Sequence, residues 1–218
     1  MLVSVALICT LVIAPTYQQP LLHQVAMTFF SLQIFCNYLL AISTNTSHGG
    51  QVGETSKDLP PGAHYCKLCQ KVILRRDHHC FFMYCCIGKY NQCYFIVYCL
   101  YIMLGGLYAV LLQGLYLNQK YHVKFSSPLT LLTLLPRTFY EFFIDAVTPP
   151  QFLLTVVMYG TLVAALTCAG FFYWEMSITF DGQTSHEALM GKTKDSKGAW
   201  ENMIDVMGKY WYLRFVVP

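Results

Sequence analysis

The sequence predicts an all-α polytopic membrane protein: four transmembrane helices, with a small cysteine-rich cytosolic domain between the second and the third. Three observations carry this. Only 11% of the 218 residues are charged and 56% are hydrophobic, against roughly a quarter charged in soluble domains. Long uncharged stretches recur along the chain. Five of the ten cysteines, Cys66, Cys69, Cys80, Cys85 and Cys86, crowd one polar segment beside histidines, while Cys9, Cys36, Cys99 and Cys168 lie in apolar stretches as small hydrophobes. That distribution reads as metal binding and thiol chemistry in a reducing compartment, not as a disulfide scaffold. The net charge of +3 is too small to imply a nucleic-acid partner.

A membrane span needs about 20 apolar residues. Residues 1–17 hold the first candidate, Leu2 to Ala14, which is short. It has neither the preceding basic residue nor the small-residue cleavage site of a signal peptide. It is therefore read as a transmembrane helix that is clipped or begins at Met1, and both chain ends are read as open. Residues 18–43 form the second span, with His23 and Asn37 as polar interruptions. Residues 44–92 are the cysteine-rich domain, 93–117 the uncharged third span, 118–150 a connecting loop, 151–176 the fourth span and 177–218 a tail. Glu175 is placed at the interface. Gly105-Gly106, about 13 residues into the third span, either leave a cavity among the helices or allow close helix packing.

Lysine and arginine set the orientation. Lys57, Lys67, Lys71, Arg75, Arg76 and Lys89 fall in residues 44–92, and Lys192, Lys194, Lys197, Lys209 and Arg214 in the tail. Lys120, Lys124 and Arg137 lie between the third and fourth spans. The two richer segments are placed in the cytosol, so 118–150 faces the lumen and both termini are cytosolic. The sequon Asn45-Thr46-Ser47 then stays unmodified. Within the lumenal loop, Leu129 to Leu135 reads either as an interfacial segment or as a packed loop.

The chemistry concentrates between His64 and Asn91. Cys66 and Cys69 form a C-x2-C pair, His79 follows ten residues later and Cys86 seven after that. Three thiolates and one imidazole suit a closed tetrahedral site for one Zn2+ ion. This allotment leaves Cys80 free behind Asp77-His78. A thiol attacks as its thiolate, and an adjacent imidazole held by a carboxylate favours that form. The alternative is that Asp77 and His78 only brace the metal ligands.

Asp77-His78-His79-Cys80 is a DHHC tetrapeptide. With the C-x2-C pair upstream, Cys86-Ile87-Gly88 and Asn91 downstream, it resembles the cysteine-rich domain of the DHHC protein acyltransferases (palmitoyltransferases). Thr184-Ser185-His186-Glu187 resembles that family's Thr-Thr-x-Glu motif, and Asn202 to Gly208 the start of its C-terminal motif. The resemblance implies a protein-cysteine S-palmitoyltransferase in the endoplasmic reticulum or Golgi membrane. Its co-substrate would be palmitoyl-CoA, and its protein substrates would carry cytosolic, membrane-proximal cysteines. It implies Cys80 as the acylated nucleophile, His78 as its base, Asp77 as the residue orienting His78, and Cys66, Cys69, His79 and Cys86 as zinc ligands. Thr184 and Glu187 would position the catalytic loop, and Asn202 would tie the tail to it. Arg75, Arg76 and Lys89 meet the phosphates of coenzyme A, or serve only to set topology.

The departures from the family pattern are specific. Tyr65 and Val72 stand where a second zinc site has His and Cys, and that site's upstream C-x-x-C is missing, so one ion is expected. Phe81-Phe82 replaces Pro-Trp, and Cys85 stands where Asn is usual. A catalytically weak or inactive membrane adaptor with a structural zinc site is therefore the rival reading, opposed by the intact Asp77, His78 and Cys80. A channel is disfavoured because the spans lack intramembrane charges.

Overall fold

The computed structural model describes residues 2–47, 62–191 and 197–217. Lys57, Lys192 and Lys194, used above for orientation, lie outside the described residues. The chain is mostly helical. A short helix α1, Leu2–Leu7, widens into π turns at Ile8–Ile13 and ends in a 3-10 turn, Ala14–Thr16, at Pro15. Helix α2 spans Pro20–Ser43. Four three-residue strands follow: β1 His64–Cys66, β2 Lys71–Ile73, β3 His78–Cys80 and β4 Cys85–Ile87. Helix α3 runs Gln92–Tyr121, α4 Pro128–Phe143, α5 Pro149–Phe180, α6 Ser185–Leu189 and α7 Ala199–Met207.

Helices α2, α3 and α5, of 24, 30 and 32 residues, are long and apolar enough to cross a membrane. At about 1.5 Å per residue each exceeds a 30 Å hydrocarbon core. The first apolar stretch is a shorter helix, Val5–Thr16. The expectation of an all-α chain fails in the cysteine-rich segment, which folds as two antiparallel hairpins, β1–β2 and β3–β4. The reason is ligand spacing. Hairpin pairing sets residues seven apart directly opposite one another, which a helix does not do.

The helices fall into two compact units. The first comprises residues 1–32 and 101–169. Its core is built from Cys9, Ile13, Met27, Ala109, Leu112, Leu117 and Met158. Here Gly105 and Gly106 serve packing. A Cβ on Gly105 would lie 2.9 Å from Phe30 Cβ, and one on Gly106 2.9 Å from Ala165 Cβ. Neighbouring helices fill the space that the cavity alternative required. The 118–150 segment is a loop only at its ends. Helix α4 exposes Leu129, Leu132, Phe139, Tyr140 and Phe143, a stripe at helical spacing suited to an interfacial position.

The second unit comprises residues 33–100 and 170–218 and holds both hairpins. Each hairpin has the same plan: a four-residue turn closed by a left-handed residue, Gln70 at φ 54° or Tyr84 at φ 52°. Gly88 sits where the chain leaving β4 grazes β2. A Cβ there would approach Leu74 O to 2.8 Å and Ile73 Cγ2 to 2.9 Å. The Asn45 carboxamide oxygen accepts hydrogen bonds from the Ser47 N–H (2.9 Å) and hydroxyl (2.6 Å). Ser47 pairs with Ile73 as an extra bridge on β2.

Candidate metal and thiol site

Strand alternation separates two kinds of chemistry within three residues. Successive side chains of a strand point to opposite faces. In β3, His79 therefore points one way, and His78 and Cys80 the other. The β3–β4 register pairs His79 with Cys86 and Cys80 with Cys85.

On the first face, His79 and Cys86 meet Cys66, the last residue of β1, and Cys69 in the β1–β2 turn. The four donor atoms lie within 4.8 Å of one another. His79 Nδ1 is 3.6 Å from Cys66 Sγ, 3.3 Å from Cys69 Sγ and 3.7 Å from Cys86 Sγ, and the Cys69 and Cys86 sulfurs are 3.6 Å apart. Tetrahedral zinc with bonds of about 2.3 Å to sulfur and 2.05 Å to nitrogen requires ligand separations of about 3.8 Å and 3.6 Å. The donor set fits that ion in chemistry and in size. Among the described residues no second cysteine–histidine group forms. Tyr65 pairs with Val72 across β1 and β2 as an ordinary strand pair.

On the opposite face, Asp77 Oδ2 accepts the His78 Nδ1–H at 2.6 Å. Asp77 is buried and takes two more hydrogen bonds, from the Ser185 N–H to Oδ1 (2.5 Å) and the Ser185 hydroxyl to Oδ2 (2.8 Å). Burial works against its charge, but the bonds from His78 and Ser185 outweigh it and hold the carboxyl below the usual range. With Nδ1 committed to Asp77, the other ring nitrogen of His78 is left for Cys80, to which the ring is hydrogen-bonded. Burial opposes the imidazolium, yet the Asp77 and Cys80 bonds carry the His78 pKa up to about 10. Burial likewise raises the Cys80 thiol, and the His78 bond and the backbone N–H groups of Met83 and Phe82 overturn it, so the thiol is lowered. Cys85 on the same face has no such partners, and burial followed by the nearby Cys80 pushes it up to about 11.

The two hairpin turns show why Cys66 falls within the four-donor cluster and Cys80 outside it. Cys66 ends β1 and receives backbone N–H groups from Leu68 and Cys69. Cys80 ends β3 and receives those of Phe82 and Met83. The turns are equivalent, but the third turn residue is Cys69 in one and Met83 in the other. Cys80 therefore occupies the same kind of turn as Cys66 without a second cysteine in it.

Ser185 is presented by the start of α6. Thr184 caps that helix: its hydroxyl accepts the Glu187 N–H, and Glu187 accepts the Thr184 N–H, a closed capping box. Asn91, buried, fastens the far end of the module. Its oxygen accepts the Gly88 N–H, and its amide donates to Ala41 O and Cys86 O. Asn202 bonds Phe180 O at 3.0 Å, at the end of α5 and not in the cysteine-rich loop. Of the basic residues, Lys89 is exposed with its ammonium 5.4 Å from the Tyr90 ring, Arg75 is half-buried, and Arg76 hydrogen-bonds Cys86.

Two participants escape the sequence reading. Ser185 was visible only as the second residue of a motif, not as the donor to Asp77. Glu175 is 2% exposed, and its carboxyl group lies 3.7 Å from His78 Nδ1. The available signal was its isolation, a lone acid near the end of an otherwise uncharged helix.

A family profile described as DHHC palmitoyltransferase matches residues 51–192. The chain is 33% identical over 208 residues to Palmitoyltransferase ZDHHC22 of Rattus norvegicus, covering 94% of this chain and 79% of that protein. It is 40% identical over 158 residues to Palmitoyltransferase ZDHHC22 of Danio rerio, covering 72% and 57%. It is 30% identical over 167 residues to Palmitoyltransferase ZDHHC3 of Rattus norvegicus, covering 73% and 49%.

Proposed function

Because the chain belongs to the DHHC palmitoyltransferase family, we propose that it transfers palmitoyl groups from coenzyme A to protein cysteines through a thioester on Cys80. The observation that carries this is the placement of Cys80 outside the four-donor cluster and in hydrogen-bond contact with His78, itself fixed by Asp77. In the first step the Cys80 sulfur attacks the thioester carbonyl. The carbon–sulfur bond to coenzyme A breaks, and the departing thiolate takes the proton held by His78. In the second step a substrate thiol gives its proton to His78 and attacks the acyl-Cys80 carbonyl, and Cys80 leaves as thiolate.

Cys66, Cys69, His79 and Cys86 would hold one Zn2+. Bound there, the ion supplies a fixed structural crosslink between the two hairpins and no reacting group. Arg75 and Lys89 would meet phosphates of coenzyme A. The short helix Val5–Thr16 forms the fourth membrane element beside α2, α3 and α5. Both termini are cytosolic, the membrane is that of the endoplasmic reticulum or Golgi, and the protein substrates carry cytosolic cysteines near the bilayer. The exposed aromatics Phe81, Phe82 and Tyr84 follow Cys80 directly and suit the membrane–water boundary.

Purified protein incubated with labelled palmitoyl-CoA tests the reading. The expected result is hydroxylamine-sensitive label on the wild type, none on Cys80→Ser, and equal zinc content in both. Undiminished label on Cys80→Ser, or loss of zinc on that substitution, refutes it.

A further inference from the structure

The Asp77–Ser185 and Asp77–His78 contacts account for one side of the imidazole. A second carboxyl group stands beside Asp77, near the same ring nitrogen. Glu175, near the end of α5, is among the most deeply buried side chains of the chain. Its Oε2 accepts a hydrogen bond from Gln92 Nε2 at 3.0 Å, from the first residue of α3. Its Oε1 lies 3.7 Å from His78 Nδ1, the nitrogen that donates to Asp77 at 2.6 Å. Phe95 of α3 closes the ring edge-on at 5.2 Å, and Phe171 of α5 stands 6.4 Å behind Phe95.

A carboxyl group buried in an apolar helix is unfavourable unless it is partnered. The groups facing Glu175 are the Gln92 amide, the His78 ring and the Asp77 carboxylate. Of these only His78 can supply positive charge. Asp77, His78 and Glu175 also form a set of possible metal ligands, but the spacing decides against an ion. Two ligands sharing an ion at about 2.05 Å stand roughly 2.9 Å apart or more, whereas Asp77 Oδ2 and His78 Nδ1 are at 2.6 Å, a proton-bridged distance.

We propose that Glu175 is a second positioning carboxyl group for His78, held by Gln92, which fixes the ring beside Asp77 at Nδ1. Asp77 is bonded to the ring from the adjacent position of the same strand segment. Glu175 acts from a membrane helix, so it ties the reacting imidazole of the cysteine-rich module to α5. This inference rests on the acyl-transfer reading of Cys80 and deepens it.

The test uses full-length protein and two readouts: the rate of Cys80 carbamidomethylation by iodoacetamide, followed on the peptide containing Cys80, and the self-acylation rate with palmitoyl-CoA. Glu175→Gln keeps shape and removes the carboxyl group. Both rates are expected to fall about tenfold, with zinc content unchanged, and Glu175→Asp to recover part of the loss. In a His78→Ala background Glu175→Gln is expected to have no further effect, an outcome that a merely structural role would not give. Rates within twofold of wild type, or an equal fall with and without His78, overturn the proposal. If Glu175→Gln loses zinc, Gln92→Met is measured in its place: a threefold or greater fall supports the proposal and unchanged rates refute it. Label remaining on Cys80→Ser would sink the acyl-transfer reading itself. A silent Cys80→Ser beside a fully active Glu175→Gln would sink only the role of Glu175.

Discussion

Ser185→Ala isolates one hydrogen bond on the orienting carboxylate. Asp77 accepts one from His78 and two from Ser185. The substitution removes the hydroxyl donor at 2.8 Å and leaves the backbone donor, because the Thr184 capping box and not the Ser185 side chain sets the start of α6. A hydrogen bond to a buried charged acceptor contributes about 1.5–3 kcal/mol. At about 1.4 kcal/mol per factor of ten, full transfer of that loss to the reacting pair slows self-acylation between roughly tenfold and 150-fold. The same hydroxyl accepts the Trp174 Nε1–H at 2.8 Å, so Ser185→Ala also costs about 1 kcal/mol of stability through the indole. Ser185→Thr keeps the hydroxyl and is expected to stay within a few-fold of wild type. The assay is single-turnover self-acylation with labelled palmitoyl-CoA, with zinc content measured on the same sample. Ser185→Ala acylating within twofold of wild type, while Asp77→Ala is inactive, would show that the Ser185 hydroxyl is not what holds Asp77.

Three further perturbations probe the frame around this pair. Met83→Cys completes a second C-x2-C at Cys80. Zinc per chain is expected to rise above the wild-type value and self-acylation to fall at least tenfold; no change in either would show that the two turns are not equivalent. Asn91→Ala strips a buried residue that bonds Gly88, Ala41 and Cys86 and should cost about 3 kcal/mol. Faster zinc loss to a chelator, with a lower unfolding temperature, is the readout, and wild-type zinc retention would contradict it. Gly106→Ala drives a methyl to 2.9 Å from Ala165 Cβ, at a cost of about 1–3 kcal/mol for overpacking. Ala165→Gly in the same chain should return the loss, and failure to do so places the strain elsewhere.

The spans and the ligand set were legible in the sequence because each rests on a local signal. Uncharged runs of helical length mark α2, α3 and α5, and the spacing of Cys66, Cys69, His79 and Cys86 marks a chelating set. What spacing left open was whether His78 braces the metal or faces Cys80, and the alternation of β3 bears on that directly. Three other features depend on partners distant in the chain. Glu175 reads as a lone acid until α3 supplies Gln92 and β3 supplies His78. Gly105-Gly106 reads as a possible cavity until Phe30 and Ala165 occupy it. The role of Ser185 rests on a contact 108 residues away in the chain. Each is decided by tertiary packing, which a periodicity or a spacing does not encode.

The contrast between Cys66 and Cys80 suggests how a metal-binding frame yields a nucleophile. Both sulfurs sit at the end of a strand and receive two backbone N–H groups from the following turn. That arrangement favours thiolate over thiol whatever the counter-charge. At Cys66 the turn ends in Cys69, and the natural counter-charge is a divalent ion that would hold the sulfur permanently. At Cys80 the turn ends in Met83, and the counter-charge is the His78 imidazole, which can surrender its proton. A sulfur neutralised by a proton donor is available twice per cycle, once to attack and once to leave, whereas a metal-held sulfur is available for neither. The frame must nevertheless stay rigid, since His78 and Cys80 are aligned by the same strand whose middle residue, His79, would hold the ion. Removing the metal should therefore abolish acylation without touching any reacting atom. A chelator-treated protein that lost its zinc and kept its rate would break the link between the two faces of β3.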